Sequence, residues 1–556
     1  MADSPATALV PWRWGDPRYR YPREGRDRVI AYLIHRLGAP PTSGSSPSVP
    51  IRLPASRLSE LDLRALAWMV PRGEVRHDDR SRLLGSVGAS YVDLVHLRNE
   101  HVADVADAVA EPGATEEVEA LVQWADREGV ALVPRSGGTS VVGGLDPLRN
   151  GHRAVLVVSD RRLSNAGPVT PERRLATFGA GILGPELEAH LRRSGLTLGH
   201  FPQSFERSAL GGWIAARSFG QASTRYQTPA DRLEGFTLVT PRGTVRWNRT
   251  QPPPENPDPG TVVPGSEGTL GVLVDATLRV EPVPPSTVWL AALLPSWSAG
   301  VEAMRRTVTT SPVPAVLRVS DGDETDLTLA ESGWEMGGRY ELLRQAAALI
   351  LGFRSEGPRS ACLMIASYEG STADTNAGRG AFRAVRRELG GAYLPSSVGR
   401  AWERSRFRTP YLRDDLVERN WFVETFETYV AWTTLGKVGA AAHASVTAWA
   451  QQNGVRPYVG AHLSHPESEG TSLYFTVIAP QKPGEEEASW RSFKELTAEA
   501  VVSAGGTVSH HHGIGRFHRA WASRSLAPDW LDGLKTLKTR WDPKGIMNPG
   551  KTLPED

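Results

Sequence analysis

The feature that most constrains this chain is a strand that breaks into a glycine-rich bend. Val130 to Val133 is a short apolar run, and the helix-patterned stretch from Glu116 to Glu128 comes before it. Directly after it stand Pro134, Arg135, Ser136, Gly137, Gly138, Thr139 and Ser140, continued by Val141-Val142-Gly143-Gly144. Without Cβ atoms in the way, backbone N–H groups in such a bend can approach an anion closely. Thr139 and Ser140 add hydroxyl donors. An isolated glycine pair marks an ordinary turn. Here a second bend, Pro264-Gly265-Ser266-Glu267-Gly268-Thr269-Leu270-Gly271, runs into a strand from Val272 to Val280. A third stretch, Asp542 to Lys551, carries Asn548. The glycines of the first bend do not open a helix, as the G-x-G-x-x-G dinucleotide fingerprint requires.

A chain of 556 residues exceeds a single core and is expected to divide into two or more domains. With Lys+Arg 63 against Asp+Glu 62, no bulk attraction to nucleic acid is expected. One cysteine, Cys362, excludes an internal disulfide and a cysteine-based zinc site, and its apolar setting reads as a core strand. No apolar run approaches the roughly 20 residues of a membrane span. The first residues lack a basic and apolar leader, and the last are not a peroxisomal address, so a cytoplasmic location is expected.

Residues 1–97 mix Trp, Arg and Pro with a Pro/Ser stretch at Pro40 to Pro50, and Ala55 to Trp68 has helical spacing. From 98 to 283 strands and helices alternate. Strands are expected at Ala154 to Val158 and Leu175 to Gly179, and a helix at Gly184 to Ser194 with Pro185 at its start. Phe236 to Trp247 reads as a hairpin. Ala209-Leu210-Gly211-Gly212-Trp213 begins a helix whose small residues permit either close packing or a close ligand. From 284 to 500 the pattern is that of a second α+β domain, expected to be an antiparallel sheet with helices on one face. Residues 501–556 are expected to complete the first site.

The three glycine-bearing stretches together resemble the FAD-binding module of the vanillyl-alcohol oxidase / p-cresol methylhydroxylase type. Some relatives carry a flavin-linking His in the first bend. Thr139 stands there, so the resemblance implies non-covalent FAD. Further motifs occur in order: Phe407-Arg408-Thr409-Pro410-Tyr411-Leu412-Arg413-Asp414, Glu424 to Thr428 with Trp432, Gly470 to Phe475, and Ser509-His510-His511-His512-Gly513-Ile514-Gly515. With the flavin motifs, over residues 90 to 552, these resemble the alkyldihydroxyacetone-phosphate synthases (alkylglycerone-phosphate synthases) of ether-lipid synthesis.

That resemblance implies an α+β protein with a flavin domain and an antiparallel-sheet cap. It implies exchange of the acyl group of an acyl-dihydroxyacetone phosphate for a long-chain alcohol. It makes Tyr474 the proton acceptor or donor, His511 and His512 the paired active-site histidines beside His510, and Arg413 a lining residue of the substrate tunnel, with Arg207 a second anion candidate. It extends the cofactor shell to Pro202, Gln203, Ser204, Ala209, Gly211, Gly212, Trp213, Ala216, Ser218, Gly265, Glu267, Gly268, Thr269, Gly271, Val272 and Asn548.

Read without the resemblance, the histidines follow an expected strand, Gly506 to Val508. They could cluster at the surface, cap the next helix or move protons. No carboxylate or cysteine neighbour is evident for a metal, and none is expected. Arg413-Asp414 reads equally as an ion pair, and Tyr474 as core.

Three departures from the family bear on the substrate. Glu467-Ser468-Glu469 bring two carboxylates toward an anion site, Pro252-Pro253-Pro254-Glu255 occupy an arginine-bearing loop, and Arg135-Ser136 replace an apolar residue and a glycine. Two other activities therefore stay open: a flavin oxidase or dehydrogenase acting on a small hydroxyl- or amine-bearing molecule, and non-catalytic flavin or lipid binding. A lipid substrate implies a peripheral membrane surface, for which Trp12, Trp14, Arg18 and Arg20 are candidates beside ordinary packing. A homodimer is left open.

Overall fold

The computed structural model describes residues 13–15, 20–41, 53–99, 102, 104–249, 258–331 and 360–553. The Pro252–Glu255 segment, Trp12, Arg18 and most of the Pro40–Pro50 stretch lie outside them. The chain divides into two compact units. One takes its described residues from Pro47–Gly220, Gln227–Val283 and His511–Asp556. The other takes them from Met1–Ser46, Gln221–Tyr226 and Pro284–His510. The division falls inside the histidine run.

In the first unit, Glu74–Arg76, Ala108–Glu111, Ala154–Ser159 and Val130–Arg135 form a four-stranded sheet in that order. The last three strands are parallel. The helix Thr115–Glu128 crosses between them. Val118, Leu121, Val122 and Ala125 fall on one helical face and are fully buried, and Gly129 ends the helix at φ 66°. The three parallel strands are apolar and buried along 108–110, 130–133 and 154–158, as strands covered on both faces must be. The chain's end closes this sheet: Leu132 N–H donates to the Ile546 carbonyl at 2.8 Å, and Asn548 N–H to the Leu132 carbonyl at 2.7 Å. A five-stranded antiparallel sheet follows, in the order Ala166–Thr170, Leu175–Gly179, Val272–Arg279, Leu233–Thr240, Gly243–Asn248. It includes the expected 236–247 hairpin. The helix expected from Ala55 starts at Glu60 instead, because Ser59 and Asp62 form a capping box there.

The second unit is built on a seven-stranded antiparallel sheet. Its order is Ala392–Leu394, Ser286–Leu294, Cys362–Gly370, Val316–Ser320, Tyr458–Ser464, Gly470–Pro480, Trp421–Ala431. Cys362 is fully buried in it. Paired residues share a face, so the register sorts the side chains. Val319, Leu463, Leu473, Phe475 and Phe426 share a face with Tyr368. Four helices cover that face: Trp297–Val308, Thr372–Glu388, Leu435–Asn453 and Glu486–Ala504. The expectation of helices on one face alone fails at Ser396–Ser405. There Gly399 lies on Trp289, which points to the opposite face, and Trp402 sits 5.7 Å from the Trp289 ring.

Candidate active site

That opposite face carries the polar chemistry of the second unit. Three consecutive strands place His462, Tyr474 and Glu427 in one cross-strand row. The His462 ring stacks on Tyr474 at 4.7 Å and 23°. His462 Nδ1 lies 3.0 Å from both Arg318 Nη2 and Glu324 Oε2, and Arg318 pairs with Glu324. Burial and the Arg318 charge hold His462 below its ordinary range, so its ring is neutral at neutral pH. Burial opposes ionisation of Glu324, but Arg318 and His462 hold its carboxyl down to about 2. Burial pushes the Tyr474 phenol up to about 12. A hydrogen bond with Thr425 opposes this and the Glu427 charge adds to it. Tyr474 is half-buried on this polar face, not a core residue.

Glu427 anchors the approach to the histidines. Its carboxylate accepts the Ser509 hydroxyl at 2.8 Å and the His510 amide at 2.9 and 2.8 Å. The expectation that no carboxylate stands near the histidine run is therefore wrong, because docking of that loop on the sheet edge brings in a residue 83 positions away. The expected strand at Gly506–Val508 is also absent. Thr507 alone meets the sheet edge: its hydroxyl accepts the Tyr429 amide at 2.9 Å, and its own amide donates to the Tyr429 carbonyl at 3.3 Å. His510 to His512 sit in a bend, so strand alternation does not decide which way they face. The His510 ring lies 5.5 Å from Tyr429 and 6.0 Å from His465. Ser223 Oγ lies 2.9 Å from His465 Nδ1, a pairing of residues 242 positions apart that local patterning does not reveal.

Arg413 sits on the helix Thr409–Val417 with its guanidinium 5.6 Å from the Trp14 ring. Its neighbour Asp414 accepts the Trp14 amide at 2.5 Å. Trp14 is buried by this docking, so ordinary packing accounts for it and it is not a membrane contact. Glu467, Ser468 and Glu469 are exposed in the hairpin turn between two strands. Glu467 meets the Tyr429 hydroxyl at 3.4 Å, and its carboxylate stays at the surface.

The first unit holds the glycine bends. In the first, Gly138 and Gly143 take φ of 71° and 67°, which only glycine adopts freely. A Cβ on Gly137 would collide with the Arg207 carbonyl, and Gly212 packs on Ser136. Among the described residues, no carbonyl or side chain accepts from the amides of Gly137, Gly138 or Thr139. Such free amides in a bend that only glycine can make fit the diphosphate of FAD. Ser140 turns inward, its hydroxyl accepting the Gly144 amide at 3.2 Å. Ala209 precedes the short helix Leu210–Ala215. Trp213 is buried and donates its indole N–H to Ser208 at 2.7 Å.

In the second bend four amides are engaged within the protein: Gly265 donates to the Ile214 carbonyl, Glu267 to Ala215, Ser266 to Val263 and Thr269 to Ser266. Glu267 Oε1 and Oε2 also accept the Ile514 and Gly515 amides at 2.5 and 2.7 Å. Burial pushes the Glu267 carboxyl up to about 7 against these bonds. Asn548 Nδ2 ties the bends together through the Gly144 and Glu267 carbonyls, at 3.1 and 2.7 Å. Its Oδ1 is buried and takes no donor among the described residues. The His511 and His512 rings stand 4.7 Å apart, edge to face.

A glycine bend with free amides in one unit, and a tyrosine–histidine–carboxylate row on an antiparallel sheet in the other, define a flavin-dependent enzyme. The FAD binding domain family matches residues 106–248, and the family of FAD linked oxidases, C-terminal domain, matches 283–552. The chain is 31% identical over 504 residues to the alkyldihydroxyacetonephosphate synthase of Dictyostelium discoideum, covering 90% of this chain and 82% of that protein. It is 30% identical over 519 residues to that of Trypanosoma brucei brucei, covering 92% and 84%. A solved alkyldihydroxyacetonephosphate synthase superposes with a TM-score of 0.78 at 27% identity, covering 97% of this chain and 98% of that one. The chain belongs to the alkyldihydroxyacetonephosphate synthase family, and FAD is its cofactor. Among the described residues, no helix is long and apolar enough to cross a membrane.

Proposed function

We propose that this protein exchanges the acyl group of an acyl-dihydroxyacetone phosphate for a long-chain alcohol. The products are the alkyl ether and a free fatty acid. The observation that carries the reading is the His462–Tyr474–Glu427 row, found in a chain of this family. FAD, when bound, supplies an electron-poor ring that can take electron density from the reacting carbon.

The chain's own groups divide the remaining work. With its phenol pushed up to about 12, Tyr474 is protonated throughout the working range. It therefore holds and donates a proton rather than beginning as a base. Base work falls to His510, His511 and His512, since imidazole is the side chain suited to taking and giving protons. Arg318 and Glu324 fix the His462 ring, and His462 supports Tyr474. Arg413 offers a cation for the substrate phosphate. The cofactor shell of the first unit orients FAD, with Pro134 to Ser140 at its diphosphate.

In this reading residues 98–283 bind flavin, 284–500 form the substrate cap and 501–556 complete the flavin site. The enzyme is cytoplasmic and bacterial in type, and it meets its lipid substrates peripherally, as a monomer or homodimer. The test is incubation of the yellow protein with an acyl-dihydroxyacetone phosphate and hexadecanol. Mass spectrometry should find the alkyl ether and one fatty acid per ether. Oxidised alcohol without ether would overturn the reading.

A further inference from the structure

The histidine run is held at each end by a carboxylate that accepts backbone amides. Glu427 takes the His510 amide at one end. At the other end Glu267 takes the amides of Ile514 and Gly515, at 2.5 and 2.7 Å. Glu267 stands in the second glycine bend at φ 48°, a left-handed conformation that residues with a side chain seldom adopt. Backbone bonds keep it there. Its amide donates to the Ala215 carbonyl at 2.9 Å, and its carbonyl accepts Asn548 Nδ2 at 2.7 Å. The carboxylate lies against Gly513, which takes φ 89° and on which a Cβ would stand 2.9 Å from Oε1. Glycine is what lets the loop come this close.

The first bend supports the same loop. The Val142 carbonyl accepts the Arg516 and Phe517 amides at 3.0 and 3.1 Å, and a Cβ on Gly515 would collide with it. The Phe517 ring lies on Gly143. The segment from Gly513 to Phe517 is thus hung on both glycine bends, within one compact unit. His511 and His512 directly precede it. The residue type at 267 is specific to this task. Two adjacent N–H donors need two acceptor oxygens. A carboxylate offers both, whereas a side-chain amide would turn an NH2 toward one of the donors.

We propose that Glu267 is a positioning residue for the His511–His512 pair, tying the histidine loop to the two bends that hold FAD, so that FAD binding orders the loop. The proposal rests on the flavin and histidine roles of the proposed function. A ligand that stabilises the bends stabilises what hangs on them.

The test compares full-length wild type, Glu267→Gln and Gly513→Ala by amide hydrogen exchange and by the kinetics of ether formation. Glu267→Gln keeps the side chain's size and removes one acceptor. Gly513→Ala leaves Glu267 intact and wedges the loop away from it. In both variants the amides from Ile514 to Phe517 should exchange at least about tenfold faster, while the Thr115–Arg135 segment exchanges as in the wild type. The kcat should fall about 10- to 100-fold, with KM and FAD affinity changed by less than about threefold. Removing FAD from the wild type should speed exchange in the same segment. If Glu267→Gln fails to fold, Gly513→Ala decides. A loosened loop with unchanged kcat overturns the proposal. So does FAD loss in proportion to activity, or faster exchange throughout the unit, since either marks a purely structural residue. Wild-type exchange indifferent to FAD overturns the coupling. A wild type that binds no FAD or forms no ether overturns the reading beneath the proposal, and the exchange rates then still show whether Glu267 holds the loop.

Discussion

Replacing Tyr474 with Phe separates chemistry from packing. The substitution keeps the ring, and so keeps the 4.7 Å stack on His462 and the strand pairing with Glu427. It removes one hydroxyl and its hydrogen bond with Thr425. The structural cost of one such bond is about 0.5–1.5 kcal/mol, which leaves the fold intact. If that hydroxyl moves a proton at the reacting carbon, kcat falls by about 10²- to 10⁴-fold. At 1.36 kcal/mol per tenfold this is about 3–5 kcal/mol of transition-state stabilisation, well beyond the packing term. Because burial keeps Tyr474 protonated to about 12, the pH profile should drop in height without changing shape below pH 10. The assay is ether formation across pH, with FAD occupancy and urea stability measured on the same preparation. Loss of less than threefold in kcat, or loss of FAD along with activity, would refute the assignment.

Glu324→Gln should cost about 3 kcal/mol in urea unfolding, because it strips the carboxylate from a largely buried Arg318. The wild type should hold the Glu324 contribution above pH 4.5 and lose it as pH falls through about 2, a dependence absent from the variant. His200 is buried against Trp213, with neither ring nitrogen partnered among the described residues, and burial draws it down to about 3. The unfolded chain then binds more protons between pH 6.5 and 3. The stability is full above 6.5 and is lost toward 3, at about 1.4 kcal/mol per pH unit. His200→Leu should flatten that slope in acid-titrated melts. Glu267→Ala removes the acceptor of two amides beside the histidine run. It should cost about 2–4 kcal/mol by thermal or urea unfolding, whereas substitution of exposed Glu469 should cost nothing measurable.

What the sequence revealed was local. The Val130–Val133 run, the glycines after it, the Ala154 to Val158 strand and the 236–247 hairpin are written in neighbouring residues, and each stands where periodicity places it. What stayed hidden depends on pairing over long distances. Tyr474 reads as core until the register sets it between His462 and Glu427 on the polar face of the sheet. Glu427 joins the histidine run only because Thr507 docks that loop on the sheet edge. The second bend looked like a twin of the first, and only the fold brings the Ile214 and Ala215 carbonyls, distant in sequence, onto its Gly265 and Glu267 amides. Glu467 and Glu469 looked hostile to an anion because composition carries no direction, yet their turn points them outward. Arg135 was legible as a departure from the family, but only the fold lays its guanidinium over Gly138 and its Nη1 on the Val87 carbonyl.

The central claim is that this flavoenzyme carries out a redox-neutral exchange. The direct measurement is the electron balance of turnover. The holoenzyme is given acyl-dihydroxyacetone phosphate and a long-chain alcohol without oxygen, with and without an acceptor dye. The account predicts ether and fatty acid in equal amounts at the same rate in both, with the dye unreduced. Turnover that waits on the dye, with one dye reduced per two electrons taken from the alcohol, would contradict it.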